Sequence, residues 1–133
     1  MWGSAADDRL AYFPITRASQ PLGVAALRLQ DGAVAWRAAP PEGVGAPVTV
    51  IPGVLFAGSS TGTVFAYSTA DGRALWQFDT AREFQTVNGV TANGGAINAA
   101  GPVVANRMLF VPSGYSELGN GARGNVLLAF GVP

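Results

Sequence analysis

Apolar positions along this chain come in short runs rich in Val, Leu, Phe and Tyr, broken every few residues by Gly, Pro, Asp or Asn. That rhythm predicts strands, because an amphipathic helix needs apolar positions spaced three and four apart over a longer window. Strands are expected at 10–14, 24–29, 33–38, 48–51, 54–58, 63–68, 74–78, 103–105, 108–112 and 125–131. No window offers a persuasive helix. Alternation is imperfect: "VLFAG" (54–58) and "MLFVP" (108–112) are unbroken apolar runs. Such runs suit strands covered on both faces.

Two stretches repeat each other. "ALRLQDGAVAWRAAP" (26–40) and "AYSTADGRALWQFDT" (66–80) share Ala, Asp, Gly and Trp in register. Asp-Gly between apolar runs fits a tight hairpin, since Gly tolerates the positive φ that such a turn demands. The repeat extends further, because "APVTVIPGVLFAG" (46–58) parallels "GPVVANRMLFVPS" (101–113) and "GTVFAY" (62–67) parallels "GNVLLAF" (124–130). The unit is a four-stranded meander with strands A to D. The first unit is 1–45, with its strand A in "WGSAA"; the second is 46–99; the third is 100–133 and lacks strand D. Four strands, a recurring Trp and a period near forty predict an all-β chain of about three β-propeller blades.

Composition narrows the chemistry. Hydrophobic residues make up 49% and charged residues 12%, about half the usual charged share, so most of the surface must be covered by the chain or by something else. Net charge is zero and no basic run tracks a phosphate backbone, which removes the electrostatic case for nucleic acid. Without Cys there is no disulfide framework, thiolate metal site or haem attachment motif. Without His or Lys there is no Ser-His-Asp centre, Schiff base or P-loop. Carboxylates, Arg, Tyr or a borrowed cofactor remain. "MWGSAADDRL" has neither the basic nor the apolar region of a secretion signal.

The spacing Ala-x₅-Gly-x₃-Trp on both C–D hairpins resembles the tryptophan-docking motif of pyrroloquinoline quinone (PQQ) dehydrogenases. Its third position is often Asp, whereas here Arg28 and Ser68 stand there. The longer stretch "FDTAREFQTVNGVTANGGAINAAGPVVANRMLFVPSGY", followed by "GNVLLAFGV", resembles the C-terminal blades of the polyvinyl alcohol dehydrogenase group of quinoproteins. "MWGSAADD" resembles the opening of an inner strand in that group. The resemblance covers nearly the whole chain. It implies a periplasmic, eight-bladed propeller carrying PQQ and a bound Ca²⁺, in which Trp36 and Trp76 dock one blade onto the next. It also implies that this chain is the C-terminal part of a PQQ-dependent alcohol dehydrogenase, inactive alone and without haem. Position 98 is Asn where the group often has Asp, and no catalytic acid or base is identifiable.

In a propeller the D–A connections and B–C loops share one face, and the A–B and C–D turns share the other. The long segments 14–22, 79–99 and 113–124 then gather on one rim, where sites usually lie. On that rim Thr86, Asn88, Asn93 and Asn98 are able to bind a cofactor carboxylate or give oxygen to Ca²⁺, although Asn-Gly pairs also simply make turns. Trp2, starting an inner strand near the pore, is a stacking candidate for the quinone, with a core role as the alternative. Arg123 and Arg82 are candidates for bidentate carboxylate binding, and Tyr115 for lining a substrate cleft. No metal ligand set is assigned.

Two patterns are set aside. "GNGARG" (119–124) matches Gly-x-Gly-x-x-Gly but precedes a strand, not a helix. Asp7-Asp8 is expected in an A–B turn, solvated and away from the rim. The alternative function is a non-catalytic propeller segment serving as a binding or assembly scaffold. The expected partners are the remaining blades of a parent propeller, or further copies of this chain completing a ring.

Overall fold

The computed structural model describes residues 3–16, 22–116 and 121–131. Among these, every regular element is a strand. The first sheet runs in the order β1 (Ala5–Ala6), β2 (Leu10–Ile15), β3 (Gly23–Arg28) and β4 (Val34–Ala38). The second runs β5 (Thr49–Ile51), β6 (Val54–Gly58), β7 (Thr63–Ser68) and β8 (Ala74–Asp79). A hairpin of β9 (Glu83–Gln85) and β10 (Thr91–Asn93) follows. The third sheet has β11 (Val103–Ala105), β12 (Met108–Ser113) and β13 (Val126–Gly131). All pairings are antiparallel between sequence neighbours. The innermost strands β1, β5 and β11 are successive neighbours, as strands around a common axis must be. The architecture is a partial propeller.

Register explains why the apolar runs are unbroken. Tyr12 lies opposite Ala26, Phe56 opposite Ala66, and Phe110 opposite Ala129, so the three sheets share one position scheme. One face of the first sheet, carrying Tyr12, Val24, Ala26 and Trp36, packs against Leu55, Ala57, Phe65 and Tyr67 of the second. The opposite face of the second sheet, with Phe56, Val64 and Phe78, packs against Val104, Leu109, Val111, Leu128 and Phe130 of the third. Alternate residues of β6 and β7 therefore enter different cores, and a strand buried on both faces cannot alternate apolar with polar. The face that carries Tyr12 or its equivalent is each sheet's leading face, and it packs on the opposite, trailing face of the next sheet.

The Asp-Gly corners turn as their sequence predicts, with φ of +71° at Gly32 and +73° at Gly72. Asp31 and Asp71 each accept the backbone N–H two residues on, at 3.0 and 3.1 Å. Trp36, opposite Ala26, reaches from the first sheet to the second sheet's corner, where its Nε1–H donates to the Thr69 carbonyl at 2.9 Å. Trp76, opposite Ala66, meets Phe130 edge-on at 5.3 Å and stays 38% exposed.

Each expected strand is present, with ends moved by at most one residue. Segment 79–99, read as one irregular loop, instead contains the β9–β10 hairpin. Its strands are three residues long, too short to print an alternation, and Gly89 at φ +78° makes the turn between them. Asp7 lies in the A–B turn but is more engaged than a solvated carboxylate. It accepts the N–H groups of Arg9 and Leu10 at 2.8 and 2.9 Å and the buried Tyr12 hydroxyl at 2.5 Å.

Candidate functional site

Three segments meet on the face opposite the Asp-Gly corners: the turn 59–62, the connection 80–98 and the loop entering β13. Backbone bonds tie them together, from Ile97 N–H to the Ser59 carbonyl at 2.9 Å and from Ala96 N–H to the Ala122 carbonyl at 2.8 Å. Gly114 N–H donates to the Ala96 carbonyl at 3.0 Å, and Asn125 N–H to the Asn93 carbonyl at 2.8 Å. The loops can approach this closely because the sequence puts glycine at the crossing points. A Cβ on Gly124 would stand 2.1 Å from the Asn93 carbonyl oxygen, nearer than any packed side chain allows.

Beneath these loops lies a buried hydroxyl cluster. Thr80 Oγ1 donates to the Gly62 carbonyl at 2.6 Å and shares a hydrogen bond of 2.7 Å with Ser113 Oγ. Ser113 Oγ accepts from Gly95 N–H at 2.8 Å. Both residues have no exposed surface. Ser59, also fully buried, occupies in the second sheet the position Ser113 holds in the third, and accepts Thr63 N–H at 2.9 Å. Sequence reasoning missed this cluster. The signal was the match of "VLFAGS" (54–59) to "MLFVPS" (108–113), which places a serine at the end of each β strand entering the rim.

The described candidate side chains differ in burial and in partners. Asn98 is buried, 6% exposed, and wedged between two glycines: its Cβ faces Gly45 and its Nδ2 faces Gly121. Arg123 is exposed on the same loop as Gly121. Asn93 is exposed and joined to Asn125, whose Oδ1 accepts its backbone N–H at 3.1 Å. Thr86 and Asn88 lie further out, where the Thr86 hydroxyl engages both the Asn88 side chain and the Val90 carbonyl at the hairpin tip. Those contacts shape the turn. Arg82 is layered between rings, its guanidinium carbon 4.6 Å from the Phe78 centroid and 5.2 Å from that of Phe84. Tyr115 is 51% exposed. Trp2 lies outside the described residues, as do positions 119 and 120 of "GNGARG".

Chemically, the rim offers amides, hydroxyls and backbone carbonyls, with Arg82 and Arg123 as exposed cations and Glu83 as an exposed carboxylate. Among the described residues no three of His, Cys, Asp and Glu converge on a point. The nearby Asp79 carboxylate accepts Ala81 N–H at 2.8 Å. This donor set suits an anionic or carbonyl-bearing ligand better than a divalent cation, which prefers several carboxylates. No helix among the described residues is long and apolar enough to cross a membrane.

Comparison with known proteins gives consistent results. Residues 21–130 match the family of PQQ-type repeats described as outer membrane protein assembly factor BamB. Over 98% of its length the chain is 40% identical to a polyvinylalcohol dehydrogenase from a Pseudomonas species, and it spans 24% of that relative. A quinohemoprotein alcohol dehydrogenase from Pseudomonas putida HK5 superposes with a TM-score of 0.68 at 23% identity, covering 96% of this chain and 18% of that one. BamB from Moraxella catarrhalis superposes with a TM-score of 0.52 at 17% identity, covering 96% of this chain and 45% of that one.

Proposed function

We propose that this chain, a member of the PQQ-type propeller repeat family, forms the C-terminal blades of a PQQ-dependent alcohol dehydrogenase acting on polyvinyl alcohol-like substrates. The observation that carries this reading is the 40% identity sustained over 98% of the chain while spanning only 24% of the relative. One blade would be 1–45, a second 46–99 and a third 100–133, with Trp36 and Trp76 as docking residues. The parent would be periplasmic, and its remaining blades would cover the sheet faces left open here.

In that role the rim supplies binding, not proton transfer. Asn98 lies against Gly45 and Gly121, and Arg123 is exposed on the loop that carries Gly121, so these two would hold a carboxylate or carbonyl of the quinone. When bound, PQQ would supply the hydride acceptor for alcohol oxidation. Thr80 and Ser113 would keep the supporting loops in register. The described residues do not fit a Ca²⁺ site, and the general base belongs to blades outside this chain.

A chimera tests the reading. This chain replaces the matching quarter of the Pseudomonas relative, and alcohol-dependent dye reduction is measured with PQQ present. Activity within about tenfold of the relative is expected, a loss of at most ~1.4 kcal/mol in the barrier. A chimera that is folded and monodisperse yet inactive would overturn it. The isolated chain mixed with PQQ should show no bound-quinone absorbance. The match to the BamB family favours a second reading, a non-catalytic assembly scaffold, for which the same inactive chimera is the expected result.

A further inference from the structure

The two connections between sheets differ in length. Residues 39–48 carry the chain from the first sheet to the second, whereas 80–102 carry it from the second to the third, and the excess is the β9–β10 hairpin. Joining neighbouring sheets does not require it, and the sheets on either side of it are both in place. Its base is fixed: Gly94 N–H donates to the Arg82 carbonyl at 2.9 Å, and the Arg82 guanidinium lies against the Phe78 and Phe84 rings. Its tip is closed on itself. Thr86 N–H donates to the Val90 carbonyl at 3.2 Å, Gly89 N–H to the Thr86 carbonyl at 3.0 Å, and the Thr86 hydroxyl is taken up within the turn.

Strand alternation gives the hairpin two unlike faces. Phe84 and Ala92, opposite each other, form the covered face, half-buried and buried. Gln85 opposite Thr91 and Glu83 opposite Asn93 form the outer face, with Gln85 Nε2–H donating to Thr91 Oγ1 at 3.0 Å. Beyond this polar row stand two valines, Val87 fully exposed and Val90 59% exposed. Lone surface valines are ordinary, but here a tip whose one hydroxyl is used inside the turn presents both of its aliphatic side chains to solvent. No charged residue occurs in 84–106.

We infer that the hairpin is a docking strip for an extended, uncharged polyol chain, with Val87 and Val90 taking its methylene carbons and Gln85, Thr91 and Asn93 its hydroxyls. The inference rests on the dehydrogenase reading and makes this hairpin the element that separates a polymeric alcohol from a small one. The occupant follows from the chemistry of the strip. An ionic ligand would find no opposite charge along 84–106, and a purely apolar one would leave the amides and hydroxyl desolvated and unpaired. A polyol alternates hydrogen-bonding and aliphatic groups as the strip does. Because the tip is closed by its own bonds, docking orders little that is not already fixed.

The test uses the chimera described above, carrying Val87→Ser and Val90→Ser together, with polyvinyl alcohol and propan-2-ol compared as substrates. The paired substitution should raise KM for the polymer about tenfold with kcat kept, and leave KM for propan-2-ol unchanged. Val87→Ile should retain the polymer KM. Valine variants that impair both substrates alike, or neither, overturn the inference, because the tip would then pack within the ring or take no part in binding. Hydrogen exchange gives a readout that needs no turnover: polyvinyl alcohol should slow exchange across 84–93 of the chimera, and propan-2-ol should not. Unchanged exchange with the polymer also overturns the inference. An inactive chimera whose hairpin the polymer still protects would remove the dehydrogenase reading and leave the docking strip standing; an active chimera with an unprotected hairpin would do the reverse.

Discussion

The six-membered ring of Trp36 lies against Gly72 of the following sheet, so close that a Cβ there would stand 2.5 Å from Cε3. The same indole donates to the Thr69 carbonyl, anchoring the ring at one end and stacking it at the other. Exposure reflects the difference between the two tryptophans, 8% for Trp36 against 38% for Trp76.

This relationship separates two glycines with nearly the same backbone. Gly32 and Gly72 have φ of +71° and +73°, but nothing lies within 4 Å of a Cβ built on Gly32. Gly32→Ala should cost only the left-handed backbone penalty, about 1–2 kcal/mol. Gly72→Ala adds a collision with the indole and should cost about 2–4 kcal/mol in all. Urea unfolding of the two variants measures the difference; equal losses would mean that the ring contact is not a constraint.

Two buried tyrosines should respond oppositely to losing their hydroxyls. Tyr12 donates to Asp7, so Tyr12→Phe should cost about 1.5 kcal/mol, as expected for a bond to a charged acceptor. The Tyr67 hydroxyl is buried with no hydrogen-bond partner among the described residues, so Tyr67→Phe should be neutral or stabilising by up to about 1 kcal/mol. Burial pushes both phenols above their ordinary range, reinforced by the Asp7 carboxylate for Tyr12 and by the Glu42 charge for Tyr67. A raised folded value means stability held below the unfolded tyrosine pKa of about 10 and lost as pH climbs above it. Urea midpoints followed upward from pH 8 should fall in the alkaline range, and less steeply in Tyr67→Phe.

The architecture was legible because it is written redundantly. Asp31-Gly32 and Asp71-Gly72 set two turns, and Ala26 with Trp36 repeats as Ala66 with Trp76 in the same cross-strand register. The rim was less legible, since its geometry depends on contacts between distant segments. Thr80 and Ser113 are 33 residues apart, and no local pattern marks either as buried. Asn-rich sequence drew attention to Thr86 and Asn88, yet their side chains are engaged in the hairpin they help to make. Among the described rim amides only Asn98 is buried, and Gly45 and Gly121 from other loops lie against it.

Acid should weaken the turn carboxylates together. The Arg28 guanidinium, then Ala33 N–H, holds Asp31 down to about 2. Asp71 is lowered by Ser68 and Arg73 N–H, and Asp7 is lowered because Tyr12, Arg9 and Leu10 outweigh its partial burial. A depressed folded value gives stability that is present above the unfolded pKa of about 4 and lost as pH falls toward about 2. Urea midpoints should therefore drop across that window. Asp31→Asn should flatten the drop most, since its folded value lies lowest of the three; an unaltered slope would refute that ranking.

The hydroxyl pair under the rim is the last test, and it bears on whether the rim is prearranged. Thr80→Val keeps the side-chain shape but leaves the Gly62 carbonyl and Ser113 without that partner, and Ser113→Ala removes the acceptor for Gly95 N–H. Each should cost about 1–3 kcal/mol, because the groups left behind are buried. Since the two share one network, the double variant should cost less than the sum, with a coupling of about 0.5 kcal/mol or more. Hydrogen exchange at Gly95 and Ala96 should quicken in either single variant, because these amides bond Ser113 and the Ala122 carbonyl across the loop junction. Additive losses with unchanged exchange would show that the loops hold their positions without the hydroxyls, leaving the glycine packing alone to define the rim.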